Sequence, residues 1–479
     1  MIAENRPSVG RQFQSAEHRV ELRSASLKKE LRLADLVGMQ ILNVVSFAFI
    51  AVAGKVGSSH LVFWLAAVAL FYIPSGIVVA HLAKEMPLEG GIYQWASLRL
   101  GPLAGFLVAM NIWLYNVLII SSISLSFLEI ASYALGPGGA WLASSKPVIL
   151  GISVVATCAL MLVAWRGLVV GKWISNFGGF SFVCLFAAVI IVALARWLNG
   201  AAAVTPAAFT MPAVSLLSLN ILGKMGFAAL SGVDCVAVFA GECQSPDAAA
   251  IIRRSVWLAA PVIAGMMILA TASLLVFVPP DAIDLIAPGV QVMSLGAPQF
   301  VKIMVALLIL TLFAQKCLFF SVMVRLPMVA GWDHLLPAWF CRLDERYGTP
   351  VGSVLFAGAV IIAFALFANA GAGNQEAFQL IFSVGFICYA CAYLVMFAIP
   401  LVARGERPPW LVSLAALSGF LMTLLFVVLA VFPIIKVPHP GVFAAKIIAA
   451  IGALQCVGVA YYWRANRARS LQSTGAELG

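Results

Sequence analysis

Apolar residues fall along this chain in blocks of about twenty, separated by short polar links. At 1.5 Å per residue, about twenty helical residues cross a ~30 Å hydrocarbon core. Twelve such blocks are predicted as transmembrane helices, near 34–54, 61–83, 103–127, 148–165, 174–196, 219–241, 256–278, 301–324, 351–369, 378–402, 410–432 and 443–462. An even number puts both termini on one side of the bilayer. Residues 1–33 form a polar, basic N-terminal tail, and 464–479 a polar C-terminal one.

The sixth block departs from the pattern. Asn220 to Pro246 reads apolar for most of its length, yet its middle carries Ser231, Gly232 and Asp234. A carboxylate near the bilayer midplane costs roughly 2.5 kcal/mol or more, so it faces a water-filled cavity or a partner. Gly232 beside it weakens the helical backbone. A helix broken there frees N–H and C=O groups that can hold a charged ligand. The competing reading is structural: Gly232 as a close-packing contact and Asp234 as a hydrogen-bond partner of a neighbouring helix.

Composition narrows the class. Charged residues make up 10% of the 479, hydrophobic residues 63%, and mean hydropathy is +1.04, which describes a polytopic membrane protein. The net charge of +10 does not point to nucleic acid, because Lys and Arg cluster in the links between apolar blocks. With the termini inside, only Lys55, Lys146, Arg196, Lys302, Lys436 and Lys446 fall outside; Lys224 and Lys316 lie within spans, and the remaining Lys and Arg are cytoplasmic. The expected location is the cytoplasmic membrane, with no signal peptide. The nine cysteines sit in apolar blocks or cytoplasmic links, a placement that argues against disulfides.

Two links are too defined to be simple turns. Between spans two and three, Pro87 ends a helix, Gly90 and Gly91 permit a tight reversal, and Tyr93 and Trp95 suit a headgroup-level amphipathic helix. Gly241-Glu242-Cys243-Gln244-Ser245-Pro246 links spans six and seven on the same face.

Three stretches together resemble the amino acid-polyamine-organocation (APC) superfamily of permeases. They are the P-x-x-G-G-x-Y of Pro87 to Tyr93 with its G-P-L-A-G-F continuation, the G-V-D…G-E-x-x-x-P of Gly232 to Pro246, and the R…G-W-D-H-L-L-P…Y-G-T-P of Arg325 to Pro350. The resemblance implies an all-α fold in which spans one to five and six to ten are inverted repeats, a core at 34–402 followed by spans eleven and twelve at 403–463. It also implies that spans one and six are discontinuous at the substrate site. By that analogy span six unwinds over Leu230 to Val233, and span one over Ser46-Phe47-Ala48.

Here the chain departs from its relatives, which commonly have Gly-Ser-Gly at the first break. Phe47 at that place would fill the pocket or narrow the choice of substrate. The large aromatic expected before the span-six break is replaced by Ala228, with Phe227 adjacent. The resemblance also places the substrate against backbone groups at Ser46 to Ala48 and at Ser231, Gly232 and Val233. Asn43, Asn111 and Tyr115 are further candidate lining residues, with interhelical hydrogen bonding the competing role. Asp234 and Lys316 are candidates for proton exchange; a static Asp-to-Lys pair is the alternative. Pro87, Gly90, Gly91, Tyr93, Glu242, Pro246 and Arg325 have structural roles at the cytoplasmic face.

The function expected is secondary transport of amino acids or related amines by alternating access, with proton symport or substrate exchange. No enzyme is expected: His18, His60, His81, His334 and His439 form no catalytic or metal-binding spacing, and neither metal nor cofactor is implied. The alternative is a membrane sensor on the same fold that has lost transport, kept open by Ser46-Phe47-Ala48.

Overall fold

The computed structural model describes residues 28–86, 88–139, 141–200, 206–211, 213–245, 247–332, 335–370, 374–402, 408–432 and 440–476. Pro87 and Pro246, both expected to have structural roles, lie outside these residues, as does most of the N-terminal tail.

The chain is almost entirely helical. Its first span is two helices, α1 (Leu33–Val44) and α2 (Phe47–Gly54), bent by 46° at the break. Span two is α3 (Gly57–Glu85), followed by the short α4 (Ile92–Leu100) and by span three, α5 (Pro102–Leu135). Then come α6 (Lys146–Arg166) and α7 (Leu168–Leu198). Span six holds α8 (Leu216–Gly223) and the tighter 3₁₀ segment α9 (Val233–Glu242). Next are α10 (Ala248–Phe277), α11 (Pro288–Gly296), α12 (Val301–Trp332), α13 (Val351–Ala370), α14 (Asn374–Val402), α15 (Trp410–Ala430) and α16 (Pro440–Ala476).

The described residues contain ten helices long and apolar enough to span a bilayer, and α1 with α2 makes an eleventh. The ninth expected span, 351–369, coincides with α13, whose Val351–Leu366 part is a shorter apolar helix. Twelve full-length spans is therefore one more than the described residues supply.

Burial ranks the spans. The apolar window of Leu216–Glu242 is 89% buried inside the protein, against 17% for Gly441–Arg467, so span six runs through the centre and the last span lines the periphery. Around span six, α1 packs on α7, α10 and α12, while α14 packs on α5 and α15. Large apolar side chains on outer faces, such as Trp173, Phe180 and Leu198 of α7, are exposed, as lipid contact requires.

Two π-helical stretches, Val68–Tyr72 in α3 and Lys224–Ala228 after α8, lie against each other through the edge-on pair Phe71 and Phe227 at 5.5 Å. Such bulges widen a helix locally and shift the register of the residues beyond them. The bulge at Lys224–Ala228 comes just before Ser231 and Gly232, both of which are buried.

Candidate functional site

The first half of span one ends where it does because a distant side chain takes over its last carbonyls. The turn closing α1 has Val45 N–H donating to Ile41 O at 3.0 Å, after which Val45 and Ser46 are extended. The carbonyls of Leu42 and Val45 accept from Gln315 Nε2 of α12 at 2.7 and 3.4 Å. A helix end buried in a membrane protein needs such a partner, since no lipid can supply one. The break is thus present without Gly-Ser-Gly, and it covers Val45 and Ser46; Phe47 and Ala48 already belong to α2.

The second break is Ser231-Gly232, narrower than the expected Leu230 to Val233. Gly232 has φ +108°, a region that side chains disfavour, and a Cβ added there would lie 2.1 Å from Asn43 Nδ2. Its N–H donates to Tyr393 Oη at 2.8 Å, and its carbonyl accepts from Asn43 Nδ2 at 2.8 Å. The next carbonyl, Val233, accepts from Gln40 Nε2 at 2.9 Å. Two residues of α1 therefore clamp the break in span six, one helical turn apart.

Between the breaks is a cavity of about 80 Å³, small against the ~300 Å³ or more of ordinary ligand pockets, so the site is contracted. Of the residues singled out from the sequence, Asn43, Ser46, Tyr115, Ala228, Ser231, Gly232 and Lys316 line it. Phe49, Ile119, Phe319, Phe382, Phe386 and Tyr389 supply most of its apolar wall, with Tyr115 stacked on Tyr389 at 4.4 Å.

Other expected residues are elsewhere. Phe47 points away from the cavity, packing on Phe186 at 4.2 Å and over Gly289, so it does not fill the pocket. Ser46 is extended, and successive side chains of extended backbone point to opposite sides, which is why Ser46 faces the cavity and Phe47 does not. Ala48 and Val233 lie outside the lining, and Val233 contributes its carbonyl to Gln40. Asn111 makes a reciprocal amide pair with Gln455 of α16 at 3.1 and 2.7 Å, the interhelical alternative. Phe227 packs on Phe71, Tyr393 and Phe426.

Asp234 is 2% exposed and sits behind the cavity wall. Its Oδ1 accepts from Tyr389 Oη at 2.6 Å and Tyr393 Oη at 2.5 Å. The Asp-to-Lys pair weighed from the sequence does not form: Asp234 is held by tyrosines, and Lys316 lies with its ammonium 5.3 Å from the Phe319 ring centroid. Sequence reasoning missed Tyr389 and Tyr393, four residues apart on one face of α14, and it missed Gln315. The spacing of the two tyrosines in an apolar span beside a carboxylate elsewhere in the chain was the available signal.

At the end of the bundle bearing α4, the three motifs converge. Arg325 forks onto Glu242, with Nη2 2.8 and 2.9 Å from its two oxygens, and its guanidinium lies 4.7 Å from the Phe239 ring centroid. Glu89 Oε2 accepts from Gly241 N–H at 2.7 Å, while its Oε1 stands 3.9 Å from Arg325 Nε. Burial first, and then the neighbouring Glu242 charge, push the Glu89 carboxyl well above the usual carboxylate range. Gly90 and Gly91 have φ of +98° and +51°, and Gly90 N–H donates to Val238 O at 3.3 Å. Tyr93 is fully buried below that reversal, and Lys29 reaches the carbonyl of Gly241.

Residues 31–460 match the amino acid permease family. The chain belongs to that family. This permease is accordingly a multi-pass membrane transporter of the APC superfamily, as its motifs imply. It is similar to an uncharacterized transporter of Legionella pneumophila, with 24% identity over 80% of this chain and 82% of the relative. It is also similar to the probable agmatine/putrescine antiporter AguD of Lactococcus lactis, 21% identical over 74% of this permease and 77% of AguD. The crystal structure of MhsT in complex with L-phenylalanine has the same fold, with a TM-score of 0.57 at 15% identity, covering 84% of the permease and 99% of MhsT.

Proposed function

We propose that this permease is a secondary transporter of amino acids or related amines, working by alternating access across the cytoplasmic membrane with both termini inside. One observation carries this reading: two helices interrupted 186 positions apart, at Ser46 and Gly232 (232 − 46), face each other across a single cavity. The N-terminal end of α2 has no side-chain cap at Ser46, and the carbonyls at the breaks keep a second lone pair beside their amide partners, so the helix ends can still meet a solute with their partial charges. The α-carboxylate of an amino acid fits the N-terminal end of α2 at Ser46, and its ammonium the carbonyl ends of the facing segments.

The inverted-repeat core would span 34–402, with 403–463 as two additional spans. Motion of one repeat against the other would open the cavity to each side in turn, and would release and remake the Glu89, Glu242 and Arg325 contacts at the closed end. Transport runs either with a proton, for which Asp234 is the candidate carrier, or by exchange. The antiporter activity in the name of AguD supports exchange.

Flux in proteoliposomes tests the proposal. Labelled amino acids and amines should enter vesicles holding the purified permease, driven by an inward proton gradient or by unlabelled solute trapped inside. A protein that binds solute but moves none under either condition would instead be the sensor alternative.

A further inference from the structure

The cavity has a charge imbalance that a simple zwitterion does not correct. Among the described residues fifteen line it, and of these Lys316 alone is a Lys, Arg, Asp or Glu. Lys316 is 9% exposed, and among the described residues it has no hydrogen bond or ion pair; its ammonium stands 5.3 Å from the centroid of the Phe319 ring. Among the described residues, the carboxylate behind the wall, Asp234, is already engaged by the hydroxyls of Tyr389 and Tyr393.

An isolated ammonium at this depth is expensive unless an anion joins it. The helix ends at the two breaks offer partial charges of both signs, which balance the carboxylate and ammonium of an amino acid. Lys316 is left over. A diamine would bring two further positive charges into a wall that holds no acid.

We propose, on the transport reading above, that Lys316 pairs with a second carboxylate on the solute, so that this permease selects acidic amino acids over their neutral amides and over diamines. The aromatic side chains near Lys316 strengthen that pairing by excluding water from it.

The test uses full-length permease in proteoliposomes, with labelled L-glutamate and L-aspartate as probes and L-glutamine, L-asparagine and putrescine as competitors. The acids should compete at concentrations at least tenfold below those of their amides, with putrescine weaker still. Lys316→Met should lose that preference by tenfold or more while melting no lower than the wild type, since it removes an unpaired buried charge. Lys316→Arg should keep it. Equal or better competition by the amides or by putrescine, with flux intact, would overturn the role of Lys316 and leave the transport reading standing. So would an unchanged preference in Lys316→Met. Absence of flux for every solute would overturn the transport reading and this inference with it. The wild-type competition ratio decides the matter even if a variant fails to fold.

Discussion

Asn43 and Gly232, 189 residues apart, are joined by one hydrogen bond of 2.8 Å from the side-chain amide to the backbone carbonyl. It ties the last turn of α1 to the unwound residue of span six, and Gly232 leaves no room for a side chain on that side.

Gly232→Leu should therefore abolish solute binding and flux while the protein still inserts. A left-handed backbone costs a side-chain-bearing residue about 1–2 kcal/mol, and displacing Asn43 forfeits about 1 kcal/mol more. Binding measured on purified protein checks this, and wild-type affinity would place the site elsewhere.

Phe47→Ala should leave the substrate preference unchanged. Phe47 is buried against Phe186, away from the cavity, so the loss should appear as about 3–5 kcal/mol of stability. A widened range of solutes in the competition panel would return Phe47 to the pocket.

Glu89→Gln should alter how stability depends on pH. The folded-state pKa of Glu89 is raised by burial and by Glu242. The folded protein thus keeps a proton that the unfolded chain releases above about pH 4. The contribution of Glu89 to stability is complete below that pH and is lost as pH rises towards the raised value. The glutamine variant should match the wild type in melting temperature at acid pH and exceed it at neutral and alkaline pH. Parallel melting curves across the range would contradict the assignment.

Asp234→Asn should remove the pH dependence of proton-driven flux, if a proton is the coupled ion and Asp234 its carrier. It should also weaken the two tyrosine hydrogen bonds by about 1 kcal/mol each, because the acceptor loses its charge. Flux with an unchanged pH profile would assign the proton elsewhere.

Much of this architecture was legible in the sequence because it is local. Gly232 marks its own break, the apolar blocks mark the spans, and Gly90-Gly91 mark the reversal before α4. The illegible part depends on partners far along the chain. The break at Val45-Ser46 has no glycine to announce it and rests on Gln315, 270 residues away from Val45. Asp234 reads as a proton site or a partner for Lys316 because nothing nearby in sequence reveals Tyr389 and Tyr393. Phe47 faces away from the pocket because the break lies at Val45-Ser46, and from the extended Ser46 the next side chain points to the opposite side.

The most direct test of the paired-break site is an experimental structure of the permease with a bound solute chosen as the best competitor in flux. The solute should lie between Ser46 and Ser231-Gly232, with both helices interrupted there. A solute bound outside that space, or helices continuous through Val45-Ser46 and Ser231-Gly232, would contradict the account.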